Sequence, residues 1–180
     1  MARNQVKCVL ASWEAMSKLS LKLSMGWGKR PRSKDAVVFA YMRAMAIRIL
    51  IVDDSAIFRD GLRTILEDHV DWQVCGEAVD GVEAVKKNRL LAPHIIVMDL
   101  SMPYMTGIDA AAAILKESPK IPILLLTLYL THHLTKQASD LGIRATLSKT
   151  EMRHLVGKIE GVLESEKLTE GDNRSRVHQS

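Results

Sequence analysis

Six polar side chains stand directly behind runs of branched aliphatics: Asp53 and Asp54 after RILIV, Asp99 after HIIVM, Thr127 after ILLL, and Ser148 and Lys149 at the end of ATLSK. Each run has the length and composition of a buried strand. Two adjacent carboxylates at a strand end repel each other and resist desolvation, so the arrangement calls for a counter-charge. Neighbouring strands lie about 4.8 Å apart, close enough for Asp99 to join the pair. Three carboxylates with no His or Cys among them form a hard oxygen donor set. Such a set suits Mg2+, which keeps several waters and leaves positions open for phosphate.

The elements that must position these groups follow from periodicity. IRILIV (47–52), WQVCGEA (72–78), HIIVM (94–98), PILLLT (122–127) and ATLS (145–148) read as strands. Helical spacing places Phe58, Leu62, Ile65, Leu66 and His69 on one side of a segment over 58–69, with Ser55 as its N-cap. A second helix follows Asp80-Gly81, with Val82, Val85 and Leu90 as its apolar positions. An Ala-rich helix spans 106–117, a weaker one 131–140, and a last one 151–165 carries Met152, Leu155, Val156, Ile159 and Leu163 on one face. Ala110 to Ala113 read as helix propensity and close packing. His132 and His133 are adjacent and so do not face the same way on a helix. Five strands alternating with five helices predict an α/β fold with a parallel sheet covered on both faces. In such sheets ligands gather beyond the carboxyl ends of the strands, near the point where the strand order reverses. The six polar residues fall on that rim.

The formal charge of +4 is unevenly spread. Residues 1–46 carry nine Lys/Arg against two acids, a net +7, and the remaining 134 carry sixteen against nineteen, a net −3. The basicity belongs to the leader and does not mark the rest as a nucleic-acid binder. Residues 1–46 read as a basic, disordered leader, with Met42 or Met45 as natural starts for the domain over 47–166, and 167–180 as a disordered polar tail. No apolar run reaches the ~18 residues of a membrane span. Cys8 and Cys75 lack metal-ligand spacing and read as reduced thiols, which points to a cytoplasmic protein.

VDDS (52–55), MDLSMPYMTG (98–107), LLLT (124–127) and LSK (147–149), in that order, resemble the receiver domain of two-component response regulators, the CheY-like family. The resemblance covers about residues 47–165 and is nearest in style to the NarL/FixJ subfamily, although no helix-turn-helix pattern follows Leu163. It implies a flavodoxin-like, doubly wound (βα)5 sheet of strand order 2-1-3-4-5 and a phosphorylation-dependent switch. Asp99 would accept a phosphoryl group from a sensor histidine kinase. Asp54, Asp99 and the Ser101 carbonyl would hold Mg2+, with Asp53 acting through water. Lys149 would pair with the phosphoryl oxygens, and Thr127 would swing its hydroxyl toward them. Output would pass to a partner protein through the 131–165 face, or to a second copy in a homodimer. No DNA-binding domain, no membrane contact and no enzymatic activity beyond self-phosphotransfer and autodephosphorylation are expected.

The sequence departs from the family pattern at two places. Thr146 stands where receivers carry Tyr or Phe, and Thr150 follows Lys149 where they commonly carry Pro. Two further function classes compete. One is a truncated DNA-binding regulator. The other is a Mg2+-dependent phosphohydrolase with an aspartyl nucleophile on the first strand, which normally needs a second acid two residues on, where Ser55 and Ala56 stand. A flavin site would need a phosphate-cradling loop after the first strand, and none is present.

Overall fold

The computed structural model describes residues 46–177, with side chains through Glu166. The expectations for residues 1–45, Cys8 among them, and for 178–180 lie outside the described residues. The strands are β1 (Ile47–Val52), β2 (Trp72–Ala78), β3 (Ile95–Asp99), β4 (Ile123–Thr127) and β5 (Ala145–Ser148). They form one sheet in the order β2-β1-β3-β4-β5, every pair parallel. This is the parallel sheet that the strand and helix alternation predicts, in the doubly wound order that the resemblance implies.

Side chains alternate between the two faces of each strand, so each face builds its own core. Ile49, Ile51, Val97, Leu124 and Leu126 pack with Leu62 and Leu66 of α1 (Ala56–Glu67) and with Leu155, Ile159 and Val162 of α5 (Leu155–Val177). Leu50, Val52, Ile96, Met98 and Leu125 pack on the other face. There they meet Ala84 of α2 (Gly81–Leu91), Ala110, Ala111 and Ile114 of α3 (Gly107–Glu117), and Ala138 of α4 (His132–Asp140). Burial on both faces is why β3 and β4 are apolar without alternation. Ser55 caps α1 as expected, its Oγ accepting from the Phe58 amide at 3.3 Å.

Two helices differ from the pattern reading. In α2 the inward positions are Gly81, Ala84 and Asn88, while Val82 and Leu90 face solvent. A Cβ on Gly81 would sit 2.7 Å from Met105 Cγ and 2.9 Å from Ala110 Cβ, so the helix approaches α3 too closely for large residues. At the C-terminal end, Lys149–His154 form a 3₁₀ turn, with Glu151 out of helical conformation, before α5 begins. α5 then runs to Val177, past the expected helix end at 165. Once a helix is nucleated by packing, each added residue costs little.

Gly107 ties α3 to the strand that carries Asp99. A Cβ there would overlap the Asp99 carbonyl oxygen and lie 3.0 Å from Leu100 Cα, while the Gly107 amide donates to the Leu100 carbonyl at 2.9 Å. Gly107→Ala is expected to destabilise the domain by about 3 kcal/mol through overpacking against backbone. Urea unfolding reads this directly. An unchanged midpoint would show that the start of α3 can retreat freely.

Candidate functional site

The site forms where the strand order turns from β1 to β3. Val52 pairs with Met98 at the last rung, so Asp53 and Asp99 leave the sheet side by side. The Asp53 amide donates to the Ala78 carbonyl of β2 at 3.1 Å, which holds the start of the β1–α1 loop in line with the sheet. One carboxylate oxygen from each of Asp53, Asp54 and Asp99 lies within 4.8 Å of the other two. Asp53 and Asp99 are buried, whereas Asp54 is exposed.

Lys149 enters from the end of β5. Its Nζ lies 2.6 Å from Asp53 Oδ2 and 2.9 Å from Asp99 Oδ1. The remaining oxygens of these two acids meet backbone donors: the Ser55 amide reaches Asp53 Oδ1 at 2.9 Å and the Ser101 amide reaches Asp99 Oδ2 at 3.2 Å. Each buried acid thus has one oxygen on the ammonium and one on an amide two residues along. Among the described residues no donor serves the Asp54 carboxylate.

Burial pushes the Asp99 carboxyl above its ordinary pKa; Lys149 works against that shift and the Asp53 charge adds to it. For Lys149, burial favours the neutral amine, but the bonds to Asp53 and Asp99 outweigh it and the pKa rises. The result is a buried ammonium that stays charged between two acids, one of which holds its proton unusually well.

Thr127 is buried at the last position of β4 and pairs with Ser148 of β5. Its hydroxyl accepts from the Tyr129 amide at 3.2 Å. Ser101 is exposed at the start of the β3–α3 loop. In that loop the Met105 amide donates to the Pro103 carbonyl at 2.7 Å across Tyr104, whose φ is 64°. Thr146 Oγ1 lies 3.4 Å from Thr135 Oγ1 of α4, so a hydroxyl pair stands at this position of β5.

Three residues at the site escaped the sequence reading. Phe58 places its ring 4.3 Å from Lys149 Nζ, a cation–π contact that supports the ammonium from the α1 side. Arg59 donates from Nη1 to the carbonyl oxygens of Asp53 at 2.9 Å and Asp54 at 3.3 Å, and from Nε to Glu77 Oε2 at 2.9 Å. Glu77, one residue before the end of β2, also binds Arg63, at 2.6 Å. Burial raises the Glu77 pKa, but the bonds to Arg63 and Arg59 outweigh it and the net shift is downward. The available signal was a basic residue at the start of the helix after an acidic pair, with an acid near the neighbouring strand end.

A doubly wound parallel domain with acids and a lysine converging at its switch point is the architecture of a receiver domain. The family model described as the response regulator receiver domain matches residues 49–160, and the chain belongs to that family. A protein-glutamate methylesterase/protein-glutamine glutaminase of Idiomarina loihiensis is 44% identical over 107 residues, 59% of this chain and 25% of that protein. Transcriptional regulatory protein YdfI of Bacillus subtilis is 35% identical over 133 residues, 73% of this chain and 62% of that protein. The chain therefore spans about a quarter of the first relative and less than two thirds of the second. Among solved structures, the response regulator domain of Thermotoga maritima CheB aligns with TM-score 0.62 and 30% identity, over 68% of this chain and 97% of that one. A LuxR-family response regulator from Aurantimonas sp. aligns with TM-score 0.65 and 32% identity, over 67% and 86%.

Proposed function

We propose that the chain is a phosphorylation-dependent signalling switch in which Asp99 accepts a phosphoryl group from a histidine kinase. The observation that carries this reading is the convergence of the Asp53, Asp54 and Asp99 oxygens within 4.8 Å, with Lys149 bonded to Asp53 and Asp99. An Asp99 carboxylate oxygen attacks phosphorus, the P–O bond forms as the P–N bond of phosphohistidine breaks, and the imidazole leaves and takes a proton. The all-oxygen donor set fits Mg2+: Asp54, Asp99 and the Ser101 carbonyl would hold it directly, and Asp53 would act through water. When bound, the ion neutralises charge on the phosphoryl group. Lys149 exchanges its bond to Asp99 for the phosphoryl oxygens, and Thr127 turns its hydroxyl toward them.

The added group carries roughly −1.5 to −2 charge, and the rearrangement of Thr127 and Lys149 reaches α4, β5 and α5. Residues 131–165 form the output face, offered to a partner protein or to a second copy of the chain. The likeness to the response regulator domain of Thermotoga maritima CheB extends over 97% of that domain, which supports the switch reading. A regulator that reaches DNA through a further domain is a second reading, supported by the likeness to a transcriptional regulatory protein. No described helix is long and apolar enough to cross a membrane. Phosphoryl transfer from a histidine kinase would take place in the cytoplasm.

Incubation with Mg2+ and acetyl phosphate, followed by intact-mass measurement and peptide mapping, tests the proposal. One labile phosphoryl group at residue 99 is expected. No uptake, uptake at another residue, or turnover of unrelated phosphoesters would overturn it.

A further inference from the structure

We propose that Arg59 is a positioning residue for the metal-binding acids: its guanidinium, anchored on Glu77, fixes the two peptide groups from which Asp53 and Asp54 project. The inference rests on the functional reading above and adds to it a residue that touches neither metal nor phosphoryl group. β1 ends at Val52, so the Asp53-Asp54 dipeptide has left the strand while α1 does not begin until Ala56. The Asp53 amide is held by the Ala78 carbonyl, but the two carbonyls beyond it have no ladder partner among the described residues, and the charges on Asp53, Asp54 and Asp99 favour turning the carboxylates apart. Arg59 opposes that motion from behind. It bonds both carbonyl oxygens with one nitrogen and spends a second on Glu77, and its side chain is 14% exposed.

Glu77 is itself held. Ile51 and Glu77 are register partners across β1 and β2, Arg63 bonds the Glu77 carboxylate through Nε at 2.9 Å and Nη2 at 2.6 Å, and the Lys87 ammonium of α2 bonds its carbonyl oxygen. Arg59 is thereby fixed to the sheet on one side while it grips the loop on the other. A planar guanidinium suits this task because its donors diverge in a rigid fork, which an ammonium does not offer. Groups that orient ligands without touching the metal typically alter metal affinity by about 10–100-fold when removed.

The test separates metal binding from phosphoryl transfer. Wild-type protein is titrated with Mg2+ while the amide resonances of residues 53–55 are followed by NMR, and acetyl phosphate labelling is measured across the same Mg2+ range. Arg59→Met is expected to raise the Mg2+ midpoint on the order of tenfold in both measurements, with the labelling rate at saturating Mg2+ changed less than about threefold. Arg59→Lys, which keeps the charge without the fork, should recover only part of the shift. Glu77→Gln, which keeps Arg59 but weakens its anchor, should raise the midpoint about threefold and provides the decision if Arg59→Met does not fold. Arg89→Met breaks a remote exposed ion pair with Glu117 and controls for net charge. Midpoints in folded Arg59→Met or in Glu77→Gln equal to those of Arg89→Met would overturn the proposal. If wild-type protein binds Mg2+ and takes no phosphoryl group, the functional reading fails while the role of Arg59 is still decided by the NMR midpoints.

Discussion

Asp99→Asn is expected to take up no phosphoryl group from acetyl phosphate, while melting at a higher temperature than the wild type in divalent-free buffer at neutral pH. The first effect follows from losing the nucleophile, since an amide oxygen in the same place is a poor one. The second follows from the electrostatics of the pocket. Asp99 and the fully buried Asp53 share a single ammonium, so one negative charge in the interior goes uncompensated. Burial raises the Asp99 pKa in the folded state. Between the unfolded and folded values the native chain therefore binds more protons, and stability falls as pH rises through that window. Above it Asp99 is charged in both states and the full penalty applies. Asp99→Asn removes the penalty and leaves Lys149 paired with Asp53. The gain is on the order of 1 kcal/mol, equivalent to roughly 3 °C in a domain of this size. Its advantage over the wild type should grow as pH rises from the ordinary carboxylate pKa upward through the raised one. Calorimetric melting at a series of pH values measures this, and an advantage that does not vary with pH would refute the account.

Lys149→Met is expected to have the opposite effect on stability and a large effect on chemistry. Removing the ammonium leaves two buried carboxylates facing each other without a counter-charge, and breaking a buried pair in this way costs about 3–5 kcal/mol. Methionine keeps the length of the side chain but loses the cation–π contact with Phe58, which adds to the cost. The raised Lys149 pKa gives the sign in the wild type: its stabilisation is fully present below the ordinary lysine value and is lost only as pH climbs through the higher folded value. A divalent ion can supply the missing charge. Saturating Mg2+ should consequently raise the melting temperature of Lys149→Met by more than that of the wild type, in which the ion competes with the ammonium for the acids. The labelling rate at saturating Mg2+ should fall about a hundredfold, the usual effect of removing one preorganised donor to developing charge. Equal Mg2+-induced shifts in the two proteins would show that the lysine and the metal do not act on the same carboxylates.

Much of this was legible in the chain. The apolar run that closes β1 and the unbroken apolar runs of β3 and β4 follow from burial on both sheet faces, and Ser55 caps α1 because its hydroxyl replaces a missing backbone acceptor. Asp53, Asp54, Asp99 and Lys149 could be grouped because parallel strands present their carboxyl ends along one edge. The α2 reading held for Val85, which packs against the core, and failed at Val82 and Leu90 for a local reason: the helix turns Gly81 and Ala84 inward, and proximity to Met105 and Ala110 outweighs their preference for burial. The extension of α5 was hidden because a polar helix gives no hydrophobic period to detect.

What the sequence determined by itself is the set of groups on the rim, since strand-end position depends only on short-range pattern and strand direction. Tertiary structure alone decided how those groups divide their bonds. Asp53 lies buried with both oxygens engaged while its neighbour Asp54 is exposed and meets no donor among the described residues, and Arg59 reaches back to their carbonyls from Glu77. Adjacent residues are indistinguishable by composition. Their separate fates arise from the direction in which each side chain leaves the end of β1, and that direction is set by contacts from β2, β3, β5 and α1 that are distant in the chain.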